Sequence, residues 1–221
     1  MRIFCDFDGT ISRQDTTDLI LTRLADPEWM AVEADWEADR IDAATCMTRQ
    51  IALIRAPLAA IDAVLDEVEL RDGFTDFLDW AGRRGVPISI VSDGVDYFIN
   101  RILSRHGIHG LPLVANRLVA MGDDRWSLHQ PWRVANCAGG SGVCKCRVVA
   151  SFKDDRPLVF IGDGRSDFCV ATKPDLLFAT AGLERFCTDR GIAHQAFTTF
   201  GDIEAALERI AVPADALVAF A

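Results

Sequence analysis

Four short apolar runs constrain the fold of this chain most strongly, because each is followed by polar or glycine-rich residues and then by a helical pattern. The runs occupy residues 2–5, 86–91, 158–161 and 176–179. Short runs of this kind are typical of parallel strands that are buried on both faces. Strands that alternate with helices predict a parallel sheet with right-handed crossovers. The sequence therefore predicts an α/β fold built on a doubly wound parallel sheet.

Residues 14–72 interrupt this alternation, because they carry helical patterns and no strand candidate. Asp26-Pro27-Glu28 has the composition of a helix start, with an acid as N-cap followed by proline and glutamate. Two apolar stripes at helical spacing follow, namely Ile41, Ala44, Met47, Ile51 and Ile54, then Leu58, Ile61, Leu65 and Val68. We expect 14–72 to form a helical cap domain inserted into a core domain of residues 1–13 and 73–221. The alternative is that these helices pack on a single core.

Two further patterns belong to the predicted core. One helical face is formed by Phe74, Phe77, Leu78 and Ala81, and Gly85 lies where a C-terminal cap glycine belongs. Residues 113–121 and 126–130 flank Gly122-Asp123-Asp124-Arg125, which is typical of a turn between antiparallel strands.

Polar residues that can carry chemistry follow three of the four apolar runs. They are Asp6, Asp8, Gly9 and Thr10 after the first run, Ser92, Asp93 and Gly94 after the second, and Asp163 and Asp167 after the third. Ligands of parallel α/β sheets bind beyond the carboxyl ends of the strands, so we expect these side chains to converge there. Like charges this close cannot all stay ionised in a dry pocket without a cation between them. Aspartate oxygens are ligands that Mg²⁺ accepts, so the sequence predicts a magnesium site among them.

The first of these segments has the groups that phosphoryl transfer needs. Asp6 is nearer the strand and is the expected nucleophile, because a carboxylate can attack phosphorus and form an acyl phosphate. Asp8 is then placed to donate a proton to the leaving oxygen and later to take one from water. Gly9 permits a tight turn, and we expect the Thr10 hydroxyl to orient the Asp8 carboxylate. An Asp-Gly turn after a strand is the ordinary structural explanation of the same residues.

The other segments supply charge and hydrogen-bond donors for a phosphate group. Ser92-Asp93-Gly94 is expected to bind phosphate oxygens through a hydroxyl and two amides that form a small nest. Lys145 offers a mobile positive charge for the phosphate and the nucleophile. Asp163 is the expected metal ligand, and Asp167 is expected to hold a metal-bound water or Lys145. A turn, a solvated lysine and a helix cap are the ordinary alternatives.

In order and spacing, these segments resemble the four motifs of the haloacid dehalogenase-like hydrolases. The matching segments are DFDGT at 6–10, Ser92, Lys145 and GDGRSD at 162–167. The resemblance implies a Rossmann-like core in which Asp6 is phosphorylated and Asp8 is the acid/base. It implies that Ser92 and Lys145 contact the phosphate, and that Asp167 belongs to the acidic metal cluster. It also implies that Mg²⁺ is bound by the Asp6 carboxylate, the Asp8 backbone carbonyl and Asp163.

The helical insert is similar to the cap of the phosphoserine phosphatase branch of that family. Within the branch, the chain resembles phosphatases of methionine salvage in CDFDGTI, in PEWM at 27–30, in VSDGVDYF at 91–98 and in the cysteine-rich stretch before Lys145. The resemblance implies hydrolysis of a small phosphate monoester, of which the enol-phosphate of methionine salvage is one. A phosphoserine or phosphocholine phosphatase, a phosphotransferase on the same scaffold and a non-catalytic binding module are the alternatives. Asp93 stands where the family often has glycine, which leaves the substrate open.

The charge of the chain limits its partners. A formal net charge of −10 argues against binding to nucleic acid or to anionic membranes, and we expect a small phosphorylated metabolite as partner. Neither an export signal nor an apolar run of ~18 residues is visible. We expect a cytoplasmic protein, and we expect it to be a monomer or a homodimer. The apolar segment 212–220 is expected to pack on the core or on a second subunit.

Several other residues have less specific patterns. Seven cysteines, an odd number, indicate reduced thiols rather than a disulfide framework. Zinc ligands are available in one stretch, which holds His129, Cys137, Cys144 and Cys146. The spacing C-x6-C-x-C matches no common zinc module, and ordinary or redox-sensitive thiols are the alternative. Further candidates for the substrate pocket are Trp29, Trp36, Arg13, Arg49 and Arg165. Core packing or surface exposure is the alternative for each.

Overall fold

The predicted parallel sheet is present in the computed structural model, which describes residues 1–137, 139–152 and 155–211. Its seven strands in these ranges are β1 (Arg2–Cys5), β2 (Ile88–Val95), β3 (Leu113–Ala120), β4 (Trp126–His129), β5 (Leu158–Gly162), β6 (Leu176–Ala179) and β7 (Gln195–Ala196). Their spatial order is β4-β3-β2-β1-β5-β6-β7. Within the described residues, β3 and β4 pair antiparallel and all other neighbours pair parallel. The predicted α/β class is therefore confirmed.

Strand β1 lies in the middle of the sheet, between β2 and β5. Ile3 pairs with Ile88 on one side and with Val159 on the other. Ile3, Phe4 and Cys5 are at most 1% exposed, which explains why this strand is apolar throughout. Because the chain crosses between the two halves of the sheet at β1, the carboxyl ends of β1, β2 and β5 meet where ligands of such sheets bind.

Helices cover both faces of the sheet, as a doubly wound fold requires. The helices are α1 (Thr16–Leu24), α2 (Trp29–Glu37), α3 (Ala43–Ile51), α4 (Leu58–Leu65), α5 (Phe74–Arg83), α6 (Asp96–Arg105), α7 (Lys145–Ser151), α8 (Ala181–Arg190) and α9 (Phe200–Ala211), with a 3₁₀ turn at Arg165–Asp167. Side chains alternate between the faces along β1. Ile3 and Cys5 pack with α5, α6 and α9, whereas Phe4 packs with α7 and α8. Helices α1 to α4 follow β1 and precede α5.

Strand β2 differs from the prediction. It extends to Val95, so that Ser92-Asp93-Gly94 lies inside the strand, whereas the sequence predicts that this segment follows the strand. The register of β2 against β3 shifts between Val91 and Val95, which marks an irregularity at this segment. An apolar pattern locates only the part of a strand that helices cover. The sheet hydrogen bonds of β2 continue beyond that part, so the pattern ends before the strand does.

The antiparallel pair and the end of α5 agree with the sequence, whereas the cap region is less regular. Gly85 has a φ of 62° just past α5, as a C-terminal cap glycine does. Helix α2 begins at Trp29, and Asp26 Oδ1 accepts the N–H of Glu28 (3.0 Å) in the turn before it. Ile54 and Val68 of the predicted stripes are buried but lie beyond the ends of α3 and α4. Leu58, placed on a core-facing stripe, is 38% exposed.

No helix in the described part of the chain combines the length and the apolarity that a membrane span requires. The apolar segment 212–220 lies outside the described residues.

Candidate active site

A cavity of about 260 Å³ opens at the carboxyl ends of β1, β2 and β5. The predicted site residues in its wall are Asp6, Asp8, Ser92, Asp93, Gly94 and Asp163. Lys145 and Asp167 are fully buried and contact this wall from behind. The sheet topology therefore brings together polar residues from four separate segments of the chain, as the sequence predicts.

Asp6 and Lys145 form a buried ion pair at the base of the cavity. Lys145 Nζ lies 2.5 Å from Asp6 Oδ2, and the two side chains are 0% and 5% exposed. The other carboxylate oxygen of Asp6 accepts the N–H of Phe7 (2.7 Å). Burial disfavours the lysine charge, but the carboxylates of Asp167 and Asp6 outweigh it and raise the pKa of Lys145. Lys145 is therefore charged when the protein is folded at neutral pH.

Asp167 uses both carboxylate oxygens to position its neighbours. Oδ1 pairs with Lys145 Nζ (2.6 Å), whose third partner is Ser166 Oγ (2.8 Å). Oδ2 accepts the N–H groups of Asp163 (3.1 Å) and Gly164 (3.3 Å). Burial is the main reason why the pKa of Asp167 is raised to about 7. Of the two predicted roles, holding Lys145 is the one that the geometry shows. Direct metal ligation by Asp167 would have to compete with these bonds.

Asp8 is oriented by Thr16 at the start of α1. Asp8 Oδ1 accepts both the Thr16 N–H (2.9 Å) and the Thr16 hydroxyl (2.5 Å). The prediction that Thr10 orients Asp8 is wrong. The Thr10 hydroxyl is fully buried and donates to Asp163 Oδ1 (2.8 Å), and Thr10 is not among the described residues that line the cavity. Burial, with a further contribution from Asp15, raises the pKa of Asp8 well above its ordinary value.

The Ser92-Asp93-Gly94 segment uses part of its hydrogen-bonding capacity internally. The Gly94 N–H donates to Ser92 Oγ (2.9 Å), so the predicted nest of two free amides is wrong for Gly94. A Cβ at Gly94 would collide with the Asp8 carboxylate, which explains the glycine. Asp93 Oδ1 accepts the N–H of Val143 (2.8 Å) and thereby ties β2 to the loop before Lys145. Burial raises the pKa of Asp93 to about 6.

The acidic residues form a cluster that fits a hard divalent cation. Carboxylate oxygens of Asp6, Asp163 and Asp167 lie within 4.8 Å of one another. Burial and the charge of Asp6 raise the pKa of Asp163 to about 6, as expected for carboxylates that repel each other without a cation between them. The Asp8 carboxylate turns away to Thr16. Gly9, at a φ of 69°, passes so close to Asp163 that a Cβ there would collide with its carboxylate.

Arg71 supports the first motif and has no counterpart in the sequence prediction. Its Nε donates to the carbonyl of Thr10 (2.8 Å), and its other nitrogens donate to the carbonyls of Gly9 and Thr198 (the latter at 3.1 Å). The guanidinium group therefore satisfies the carbonyls of the tight turn after β1. A lone arginine 61 residues from its partner in sequence gives no signal that pattern analysis can use.

Helices α1, α2 and α3 supply the opposite wall of the cavity. The residues are Asp15, Thr17, Asp18, Glu33, Trp36, Ala43, Cys46, Met47 and Gln50. Of the predicted pocket candidates, Trp36 lies in this wall and Trp29 packs on the core. The Arg165 guanidinium lies 4.9 Å from the centre of the Trp36 ring and pairs with Asp39 (2.6 Å). Arg165 is thus the predicted arginine that lines the cavity.

The two other predicted arginines lie away from the cavity wall. Arg13 pairs with Asp72 at 2.5 Å on the surface, and Arg49 is exposed on α3.

A sequence profile of the haloacid dehalogenase-like hydrolases matches residues 3–172. The chain belongs to this family. Two relatives of this hydrolase are named 2-hydroxy-3-keto-5-methylthiopentenyl-1-phosphate phosphatase. The protein from Geobacillus kaustophilus is 33% identical and that from Geobacillus thermodenitrificans 32% identical, each over 95% of this chain and 96% of its own length. The predicted family and enzyme class, a phosphatase, are therefore confirmed.

The fold of this hydrolase also agrees with a solved structure. A substrate-bound phosphoserine phosphatase superimposes with a TM-score of 0.69 at 16% identity. The match covers 92% of this chain and 96% of that one. It shows that the two proteins share a fold.

Proposed function

We propose that this hydrolase removes the phosphoryl group from a small phosphate monoester in a Mg²⁺-dependent reaction that passes through an aspartyl-phosphate on Asp6. The observation that carries the proposal is the buried contact of Asp6 with Lys145 at 2.5 Å, beside Asp163 and Ser92 in one cavity. A carboxylate held by a fixed cation at the base of a cavity is a nucleophile already positioned for attack.

The proposed reaction has two steps. In the first, a carboxylate oxygen of Asp6 bonds to phosphorus while the bond from phosphorus to the ester oxygen breaks. Asp8 donates its proton to that oxygen, which leaves as an alcohol or enol. In the second, Asp8 takes a proton from water as the water oxygen attacks the same phosphorus. Inorganic phosphate leaves and Asp6 is restored. The raised pKa of Asp8 suits the first step, because the acid must start protonated.

Charge neutralisation accompanies both steps. The Ser92 oxygen accepts the Gly94 N–H, so its own hydrogen is available to a phosphate oxygen. Lys145 holds Asp6 in place and offsets negative charge as it develops. Mg²⁺, which we propose is bound by Asp6, Asp163 and the Asp8 carbonyl, supplies further positive charge to the phosphate oxygens when present.

We further propose that residues 14–72 act as the cap domain over a core of residues 1–13 and 73–221. Helices α1 to α3 face the catalytic residues across the cavity. Contacts of Arg165 with Trp36 and Asp39 connect this region to the GDGRSD motif at 162–167. Such a cap excludes bulk water during transfer.

For the substrate, we propose the enol-phosphate that names the two Geobacillus relatives. Those proteins match this chain at 32–33% identity over nearly its whole length. The cavity suits a small metabolite, and Trp36, Cys46 and Met47 in its wall offer polarizable contacts for a methylthio group.

A phosphate ester with a cationic leaving group, such as phosphocholine, is the second candidate. Asp15, Asp18 and Glu33 all line the same cavity beside Trp36. Carboxylates and an indole face are the groups that recognise an ammonium cation.

The full-length protein tests both candidates through release of free phosphate with Mg²⁺ and no added acceptor. The panel contains the methionine-salvage enol-phosphate, phosphocholine, phosphoethanolamine and phosphoserine. We expect the enol-phosphate to dominate and Asp6→Asn to be inactive while still folded by circular dichroism. Phosphate release only when an acceptor alcohol is added would instead identify a phosphotransferase. No release from any ester would contradict a hydrolytic function.

A further inference from the structure

Four cysteines from three chain segments meet next to the active-site lysine. The sulfur atoms of Cys137, Cys146 and Cys169 lie within 4.8 Å of one another. Cys144 Sγ lies 3.4 Å from Cys146 Sγ. All four are free thiols, and none of them is among the described residues that line the catalytic cavity. The cluster is therefore separate from the acidic site, although Lys145 stands between two of its members in sequence.

The distances suit a tetrahedral thiolate site. With Zn–S bonds of about 2.3 Å, the sulfur atoms of a tetrahedral zinc site stand ~3.8 Å apart. The Cys144–Cys146 contact at 3.4 Å and the group of Cys137, Cys146 and Cys169 within 4.8 Å bracket that spacing. Sets of four thiolates favour zinc or an iron–sulfur cluster over the hard cations that carboxylates bind.

Hydrogen bonds of the backbone hold the chain beside the sulfur atoms. The Arg147 N–H donates to the Cys144 carbonyl (3.0 Å) in the first turn of α7, and the Cys144 N–H donates to the Trp132 carbonyl (3.2 Å). The Cys169 thiol donates to the Ser166 carbonyl (3.9 Å). The start of α7 and the turn after β5 are thus already folded beside the cluster.

We propose that Cys137, Cys144, Cys146 and Cys169 bind one structural Zn²⁺ ion. Binding involves no redox change: four thiols each release a proton, and the zinc forms four bonds to sulfur. The ion joins the loop before α7, the first turn of α7 and the chain that follows the 3₁₀ turn Arg165–Asp167. Because Lys145 starts α7 and Asp167 ends that turn, the zinc fixes the two elements whose side chains form the Lys145–Asp167 pair.

Cys169 is the ligand that the sequence alone does not suggest. The first three cysteines have the spacing C-x6-C-x-C, and the fourth lies 23 residues further along, beyond β5. Their assembly depends on the packing of α7 beside the turn after β5.

Metal analysis of the full-length protein tests the proposal without reference to phosphatase activity. The protein is expressed with added zinc, dialysed against a mild chelator and analysed by plasma mass spectrometry. We expect about one zinc per chain, and titration of the apoprotein with Co²⁺ should produce thiolate-to-metal charge-transfer absorption. The double variant Cys137→Ala/Cys169→Ala should lose both signals, whereas Cys187→Ala, a buried cysteine elsewhere, should keep them.

Three results would overturn the site. The first is wild-type protein without stoichiometric zinc although its thiols are reduced. The second is zinc that persists in the double variant. The third is an intact mass two hydrogens lower than the reduced chain and no bound metal, which identifies a disulfide instead. Iron and inorganic sulfide in place of zinc would reject the metal assignment. The metal content of the wild-type protein is decisive without the variant. If the double variant folds poorly, wild-type protein without zinc still contradicts the proposal.

Discussion

Lys145 Nζ lies 2.5 Å from Asp6 Oδ2, and neither side chain is more than 5% exposed. The same ammonium group pairs with Asp167 at 2.6 Å, so that one positive charge compensates two buried carboxylates. Burial alone would favour the neutral forms of Lys145 and Asp167, so each depends on its oppositely charged neighbour. The contacts of Lys145 therefore hold the proposed nucleophile in place at the base of the cavity.

Removal of the lysine charge should affect stability and turnover together. We expect Lys145→Met to lower the free energy of unfolding by about 3–5 kcal/mol, because a buried ion pair loses one partner. It should lower kcat at least ~100-fold, since charge that develops on phosphate is no longer offset. Urea unfolding and steady-state kinetics measure the two effects.

A double variant tests whether the effect of Lys145→Met comes from the lost ion pair with Asp167 or from general disruption of the site. Lys145→Met combined with Asp167→Asn should recover part of the lost stability, because one uncompensated carboxylate has been removed. Turnover should stay low. If Asp167→Asn destabilises the Lys145→Met protein as much as it destabilises wild type, the ion pair of Lys145 with Asp167 does not contribute to stability.

Thr16 should lower the pKa of Asp8, the proposed proton donor. Burial raises the pKa of Asp8, and the hydrogen bonds from Thr16 partly offset this rise. Thr16→Val removes the hydroxyl bond, so we expect the basic limb of the pH profile of kcat/KM to move to higher pH. Loss of orientation should also lower kcat about tenfold. Thr16→Ser retains the hydroxyl and should behave like wild type, and a Thr16→Val profile that does not move would contradict the role.

The acidic cluster should make stability depend on pH and on Mg²⁺. The pKa of Asp163 is raised to about 6 in the folded protein, so the folded state holds this proton more tightly than the unfolded chain does. The contribution of Asp163 to the free energy of unfolding is therefore fully present below about pH 4, and it is lost as pH rises through about 6. At pH 8 the charged group destabilises metal-free protein by up to about 3 kcal/mol.

Asp163→Asn therefore should be more stable than wild type at pH 8 in EDTA, and not at pH 4. Added Mg²⁺ should stabilise wild type at pH 8 and leave Asp163→Asn unchanged. Asp76→Asn, an exposed acid on α5, is the matched control and should follow wild type in urea unfolding. Equal stabilisation of Asp163→Asn by Mg²⁺ would place the ion elsewhere.

The acids in the cavity wall distinguish the two substrate candidates. Asp18→Asn/Glu33→Gln removes negative charge that an ammonium group would need, so hydrolysis of phosphocholine should fall at least about tenfold in kcat/KM. The enol-phosphate carries no cation, and its kcat/KM should change by less than about threefold. A large loss for the enol-phosphate would show that these acids support the site in another way.

The parts of the fold that pattern analysis locates best are those whose environment is uniform. Strand β6 and strand β1 have the predicted bounds because all of their residues except the first are buried. Strand β2 lies later in the chain than the sequence predicts, because Ser92, Asp93 and Gly94 near its end are polar or glycine and line the cavity. Uniform burial therefore explains why β1 and β6 are located correctly, and the polar residues at the cavity explain why the end of β2 is not.

The proposed catalytic and metal-binding aspartates Asp6, Asp8 and Asp163 can be predicted from the sequence because each follows a recognisable apolar run, whereas the residues that support them cannot. Thr16, Arg71 and Cys169 act through contacts that exist only after helices and loops from distant segments pack together. Thr10 shows the converse. Its position near Asp8 in the sequence predicts a contact with Asp8, but after the turn at Gly9 its hydroxyl contacts Asp163 instead.

Acid quenching within the first turnover, followed by digestion and mass spectrometry, tests the central claim most directly. The peptide that contains Asp6 should gain the mass of one phosphoryl group, located on Asp6, in wild type and not in Asp6→Asn. The gain should disappear as substrate is exhausted. Phosphoryl groups on a different residue, or normal phosphate release by Asp6→Asn, would contradict the account.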